Sequence, residues 1–285
     1  FTTALINQGW FDKGTGSLSY QFDIFLTNIL FSGKVFKMIS KFSLRESFLS
    51  LFKFEPKEIK AVLVIIKKII YGTKMYKIKN HQPPQNCSKC ARLYTFRNLI
   101  KKDNPNWHNN PVNSFGSINS KILIVGLAPG KKGANRTGRP FTGDGAGDTL
   151  FNALLKYKLA SGYYDMNGYD NLVLNNCRIT NVVKCVPPKN RPTKEEFRNC
   201  NEFFQNELLM MPNLKKILAL GRDAFNAILS YYNLSISKNK FKHQISLLLP
   251  DDKILLGSYH CSRYNTNTKR LTINMFNNII NELVI

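Results

Sequence analysis

Lys121-Ile122-Leu123-Ile124-Val125-Gly126-Leu127 is an apolar run that stops at a glycine and opens into a long turn-forming segment beginning Ala128-Pro129-Gly130. An apolar run without polar alternation is expected of a strand buried on both faces, as in a parallel sheet covered by helices. Three further runs, Arg178–Cys185, Lys215–Leu220 and Lys253–Gly257, have the same character. Helix-period segments lie between them at Gly147–Tyr157, Lys194–Met210 and Arg222–Tyr231, and Thr272–Leu283 closes the chain. Strands alternating with helices of this length predict a three-layer α/β/α fold around a central four-stranded parallel sheet. In such sheets ligands bind beyond the carboxyl ends of the strands. The unusual residues of this chain fall at those ends.

The chain has 285 residues, enough for one sizeable domain with an extension, and 43% of them are hydrophobic. Lys and Arg total 41 against 18 Asp and Glu, a formal charge of +23. That imbalance favours a polyanionic partner, although an AT-rich genome would inflate Lys, Asn, Ile and Phe together. No run approaches the ~20 apolar residues of a membrane span. The most apolar run, Ala61 to Ile70, is interrupted by Lys67 and Lys68. No secretory leader is legible, so the chain is expected in the cytoplasm, where six cysteines point to metal binding or burial rather than disulfides. Residues 1–74 read as a poorly specified basic extension without recognisable chemistry; Met75 is the expected start of the domain at 75–285.

After the first strand, Gly126-Leu127-Ala128-Pro129-Gly130 continues through Lys131-Lys132-Gly133-Ala134-Asn135-Arg136-Thr137-Gly138-Arg139-Pro140-Phe141-Thr142-Gly143-Asp144. Backbone N–H groups in a glycine-rich loop of this kind can cradle an anion. It is not a P-loop: the glycine spacing is one residue short and Lys132 stands where Ser or Thr would hold magnesium. So long a segment without structure of its own is unusual unless functional. The residues resemble the first motif of the family 5 (type B) uracil-DNA glycosylases. Leu127 and Phe141-Thr142-Gly143-Asp144 side with family 5 over family 4, while Gly130 and Pro140 depart from the usual pattern.

Ser258-Tyr259-His260-Cys261-Ser262-Arg263-Tyr264-Asn265, continuing to Thr272, interleaves polar, cationic and aromatic residues before a helix. That texture suits contact with phosphates and bases. It resembles the second motif of the same enzymes, a loop that enters the DNA minor groove. A lone His after a strand is more often a turn residue than a catalyst; beside the first motif, His260 is expected to be catalytic. Asn181 interrupts a β-branched strand and needs a polar task. The bland reading is a buried Asn bonded to backbone, whereas the resemblance implies that it reads the edge of a flipped base.

Cys87 and Cys90 form one C-x-x-C pair, and Cys185 and Cys200 lie on either side of a Pro-rich, basic stretch. Four thiolates suit tetrahedral zinc or a [4Fe–4S] cluster, and spacing does not separate the two. The resemblance implies the iron–sulfur cluster, with zinc the lesser alternative. It extends over about Cys87 to Leu283, through Trp107, Pro111, Val112, Phe115 and Gly116.

The implied activity is monofunctional removal of uracil, hypoxanthine and xanthine from duplex DNA by a monomer, as the first step of base excision repair. No lysine in either motif must form a Schiff base. Gly126, Leu127, Ala128, Phe141 and Asn181 would form the base pocket, with Phe141 stacking on the base. Arg136, Arg139, Ser262, Arg263, Asn265 and Lys269 would contact DNA. His260 would donate to the departing base, and Asp144 would position water or stabilise the sugar cation. Leu127, where a polar residue is usual, keeps open a rival reading as a non-catalytic DNA-binding protein with the same fold and cluster. A hydrolase of small nucleosides is a third reading, which the positive charge disfavours.

Overall fold

The computed structural model of the chain describes residues 80–284; the reading of residues 1–74 as an extension, and Met75 as a start, lies outside them. Helix α1 (Ala91–Asp103) precedes strand β1 (Ile122–Gly126), the short α2 (Ala134–Thr137) and α3 (Gly145–Lys156). A two-stranded ribbon, β2 (Ala160–Ser161) and β3 (Val173–Leu174), leads to β4 (Cys177–Asn181) and α4 (Lys194–Leu209). Then come β5 (Lys216–Leu220), α5 (Arg222–Tyr231), β6 (Ile245–Leu248), β7 (Ile254–Ser258), α6 (Arg263–Asn267) and α7 (Ile273–Asn281).

The expected α/β architecture holds, with one correction to its strand count. β4, β1, β5 and β7 pair in parallel in that order. A fifth strand, β6, adds antiparallel to the edge of β7 through a tight hairpin in which Asp252 takes φ 65°. The sequence reading missed β6 because only four residues carry it, and their half-buried alternation is too short to register.

Every residue of β1 is buried, and the pleat explains why. Ile122 and Ile124 enter a core shared with Leu150, Phe151 and Leu154 of α3 and Phe276 and Ile279 of α7. Leu123 and Val125 point the other way, toward Phe204 and Leu208 of α4 and Phe225 and Ile228 of α5. Two helical layers thus require an uninterrupted apolar strand between them. The helix starts are set by short polar side chains: Thr193 forms a capping box with Glu196, and Asp144 and Thr272 cap α3 and α7. Capping by Asp144 starts α3 two residues before the Gly147 expected from periodicity.

One polar cluster is buried within these layers. Glu207 of α4, fully buried, accepts from Arg178 Nε at 2.7 Å, Lys184 Nζ at 2.9 Å and Thr180 Oγ1 at 2.7 Å. Lys184 Nζ also donates to Ser114 Oγ at 2.9 Å, and Arg178 reaches the Gly116 carbonyl. Burial alone would raise the pKa of Glu207, but Lys184 and Arg178 outweigh it and hold it down at about 2. A depressed carboxylate contributes stability above its unfolded value and loses it as pH falls toward the folded one. Glu207→Ala should therefore cost about 3–5 kcal/mol at neutral pH by stranding two buried cations. Urea denaturation should show that gap narrowing as pH falls from 4.5 toward 2.

Candidate active site

Parallel pairing sets Gly126, the last residue of β1, beside Asn181, the last of β4. A Cβ at Gly126 would stand 2.4 Å from Asn181 Oδ1 and 2.7 Å from Phe141 Cζ, so only glycine lets the amide and the ring meet. Asn181 is 3% exposed, and its side chain makes no hydrogen bond among the described residues. That is unlike the buried, backbone-bonded Asn of the bland reading, and it leaves both amide groups available to a ligand. Phe141 is held at φ 54°, an uncommon conformation for an aromatic residue. Its ring stacks on His260, with centroids 5.8 Å apart and planes inclined by 24°.

His260 lies two residues beyond the end of β7. Desolvation by burial lowers its pKa from the ordinary imidazole value, opposed by the negative charge of Asp144, which favours the neutral ring. Asp144 accepts Ala146 N–H at 3.1 Å through Oδ1. Its Oδ2 lies over the first-motif loop, where a Cβ on Gly133 would approach to 2.4 Å. Asp144, Phe141, Asn181 and His260 therefore gather beyond the carboxyl ends of β1, β4 and β7. Leu127 and Ala128 line the start of the loop, half-buried, and the Leu127 carbonyl accepts Val183 N–H at 3.0 Å.

The two loop arginines, expected to contact phosphates, are engaged within the protein. Arg139 forms a two-pronged pair with Asp170, at 2.7 and 2.5 Å, and its guanidinium lies over the rings of Phe115, Phe151 and Tyr164. That pair holds the Asp170 carboxyl at about 2. Arg136 donates to the Lys132 carbonyl, the Asn167 side chain and the Met166 carbonyl. Both arginines pin the first-motif loop to the 162–172 segment, a partner with no signature in the sequence. In the second motif, Ser262 caps α6 and Asn265 Nδ2 donates to the His260 carbonyl at 2.7 Å, so these two shape the loop from within. Arg263 and Lys269 are exposed, Arg263 lying 3.7 Å from Asp148. Arg270, overlooked in the sequence, lies over Tyr259 at 4.6 Å.

Cys87, Cys90, Cys185 and Cys200 line a single small cavity, open in part to solvent, whose wall includes Leu93 and Arg97. Cys90 immediately precedes α1, Cys185 follows the β4 strand end, and Cys200 is on α4. Lys184 N–H points to Cys200 Sγ at 3.3 Å. Burial pushes the Cys185 thiol up to about 12, against the pull of Arg97 and with the push of the other three cysteines. Among the described residues, no three Cys, His, Asp or Glu side chains are grouped so as to hold a single metal ion. Cys177 and Cys261 are fully buried elsewhere, facing backbone carbonyls of Leu159 and Ala146.

Residues 113–284, which carry this strand-end site and both loops, match the uracil DNA glycosylase superfamily, and the chain belongs to it. Within that superfamily the likeness is greater to type-5 members. A type-5 uracil-DNA glycosylase of Thermus thermophilus is 41% identical over 202 residues, covering 69% of this chain and 91% of the relative. One from Pyrobaculum aerophilum is 37% identical over 192 residues, 66% of this chain and 83% of the relative. A type-4 uracil-DNA glycosylase of Sulfurisphaera tokodaii is 30% identical over 193 residues, 65% and 75% of the two chains. The family 5 resemblance read from the motifs is thus borne out.

The close approach at Gly126 generates a prediction. Gly126→Ala should displace Asn181 or Phe141 and lower stability by about 1–3 kcal/mol, the usual range for overpacking. Thermal denaturation measures the loss, and base release from uracil-containing DNA should fall by more than the stability change alone explains.

Proposed function

We propose that this chain removes uracil from duplex DNA as a monomer, by hydrolysis of the N-glycosidic bond, at the carboxyl ends of β1, β4 and β7. The observation that carries the reading is the buried, unbonded amide of Asn181 held beside Phe141, His260 and Asp144 in a chain of this superfamily. A base in the stack is inaccessible, so the nucleotide must be flipped out. An amide offers one acceptor and two donors, which complement the N–H and carbonyl edge of uracil. Hypoxanthine and xanthine present the same lactam pattern, and the pocket is proposed to accept them as well.

Cleavage puts positive charge on the sugar and negative charge on the departing base. A neutral His260 donates a hydrogen bond to the base as that charge grows. Asp144, fixed through one oxygen by Ala146 N–H, uses the other to orient water or to stabilise the sugar cation. Leu127 offers no polar group for either task. Arg263, Lys269, Lys131 and Lys132 are the proposed phosphate contacts, all of them exposed. Arg136 and Arg139 are assigned instead to holding the loop in shape.

Cys87, Cys90, Cys185 and Cys200 are proposed to hold a [4Fe–4S] cluster. The single cavity that all four line and their thiolate chemistry support it. Such a cluster, when bound, supplies a rigid cross-link between α1, the segment after β4, and α4.

Single-turnover release of free base from duplex DNA carrying uracil tests the reading, with hypoxanthine in parallel. Asp144→Ala and His260→Ala should each lose roughly two to three orders of magnitude. Because the pKa of His260 is lowered, the rate should stay level from pH 6.5 upward and change only below that value. A break above pH 7 that disappears in His260→Gln would contradict the neutral-donor role. Tight DNA binding without release of either base would favour the non-catalytic reading.

A further inference from the structure

Arg97 projects from α1 into the wall of the four-cysteine cavity and is 3% exposed. Its Nη2 donates to the Cys87 carbonyl at 2.6 Å, and its Nη1 reaches the Gln85 carbonyl at 3.5 Å. Its Nε is buried without a hydrogen-bond partner. The guanidinium also lies 5.8 Å from the centroid of the Tyr94 ring. No carboxylate pairs with it among the described residues. Arg178, buried to a similar degree, has Glu207; Arg139 has Asp170; Arg92 has Glu196. A buried cation without an anion carries a desolvation penalty of several kcal/mol. Backbone carbonyls offset part of it, but they leave the Nε–H unanswered.

The cavity faced by Arg97 is lined by groups that become anionic when they bind metal. Four thiolates around an iron–sulfur core carry net negative charge, and sulfur accepts N–H hydrogen bonds. We propose that Arg97 is the counter-charge of the bound cluster, with its Nε–H directed at a cluster sulfide or a cysteine sulfur. In that position it sets how tightly the cluster is retained and how readily it accepts an electron. The inference rests on the reading of the four cysteines as iron–sulfur ligands. Net charge and hydrogen bonds to sulfur are among the main determinants of cluster potential. A nearby cation favours the more negative, reduced form, so Arg97 raises the potential, and its loss lowers it. Arg97 is a positioning residue here, since the base pocket lies elsewhere.

The experiment uses the full chain purified anaerobically, as wild type, Arg97→Lys and Arg97→Gln. Iron and acid-labile sulfide are counted, the midpoint potential is measured by dithionite titration, and iron loss to a chelator is timed. The Gln variant should have a lower potential and lose iron about tenfold faster or more, the scale of one hydrogen bond to a charged group. The Lys variant keeps the charge without the directed Nε–H and should fall between. A Gln variant with wild-type potential and wild-type iron loss overturns the proposal. If the Gln variant does not accumulate folded protein, the Lys variant decides: unchanged potential and iron loss overturn it, and a lowered potential supports it. A wild-type protein that holds zinc, or no iron and sulfide, overturns the cluster reading itself and is recognised from the metal count before any variant is compared.

Discussion

Glu207 is an ionised carboxylate, fully buried and held between two buried cations, and much of the domain is organised around keeping it satisfied. Its partners, and the groups that those partners hold in turn, come from separate parts of the chain. Arg178 and Thr180 belong to β4, Lys184 to the segment after it, and Ser114 and Gly116 to the lead-in before β1. Removing one partner leaves charge in a medium that cannot solvate it, so these elements hold one relative position. Buried ion pairs are not in general more stabilising than apolar packing. What this one contributes is specificity: it fixes the register of β4 against α4 and the lead-in, since shifting either breaks several charge-assisted bonds at once.

That register matters because opposite ends of the same short stretch serve two sites. Asn181 closes β4 beside Gly126, and four residues later Cys185 enters the cysteine cavity. Lys184 lies between them, its ammonium on Glu207 and its backbone N–H toward Cys200 Sγ. Ala128 of the first-motif loop packs against the apolar residues around those cysteines. The proposed base site and the cysteine cavity are therefore linked through Ala128 and through the stretch from Asn181 to Cys185.

Charge in this protein divides between two uses. The large basic excess reads from composition as attraction to a polyanion, and Arg263, Lys269, Lys131 and Lys132 stay exposed in keeping with it. Arg136 and Arg139, the cations nearest the centre of the first motif, face inward to the 162–172 segment instead. They order the glycine-rich loop on which Phe141 sits at positive φ. A loop with so many glycines has much conformational entropy to lose, and buried charge pairs are a way to hold it.

The sequence by itself determined the layers and the place of the site. Apolar runs and helical periods mark four parallel strands and the helices that cover them, and the motif residues fall at the strand ends. Patterns of this kind are legible because each strand or helix buries its own face, which is a local property of composition. The sequence also marked Asn181 and the four cysteines by residue type and spacing, and His260 and Asp144 through the resemblance of their motifs to a known family. Only the tertiary structure decided which cations are free, because Asp170 stands thirty-one residues from Arg139 and no local pattern links them. The same holds for the fifth strand, for the Glu207 cluster and for Arg97, whose isolation from any carboxylate is a fact about neighbours in space. Pairing across long sequence separations is decided by packing and by the cost of burying charge, and neither is written in the order of residues.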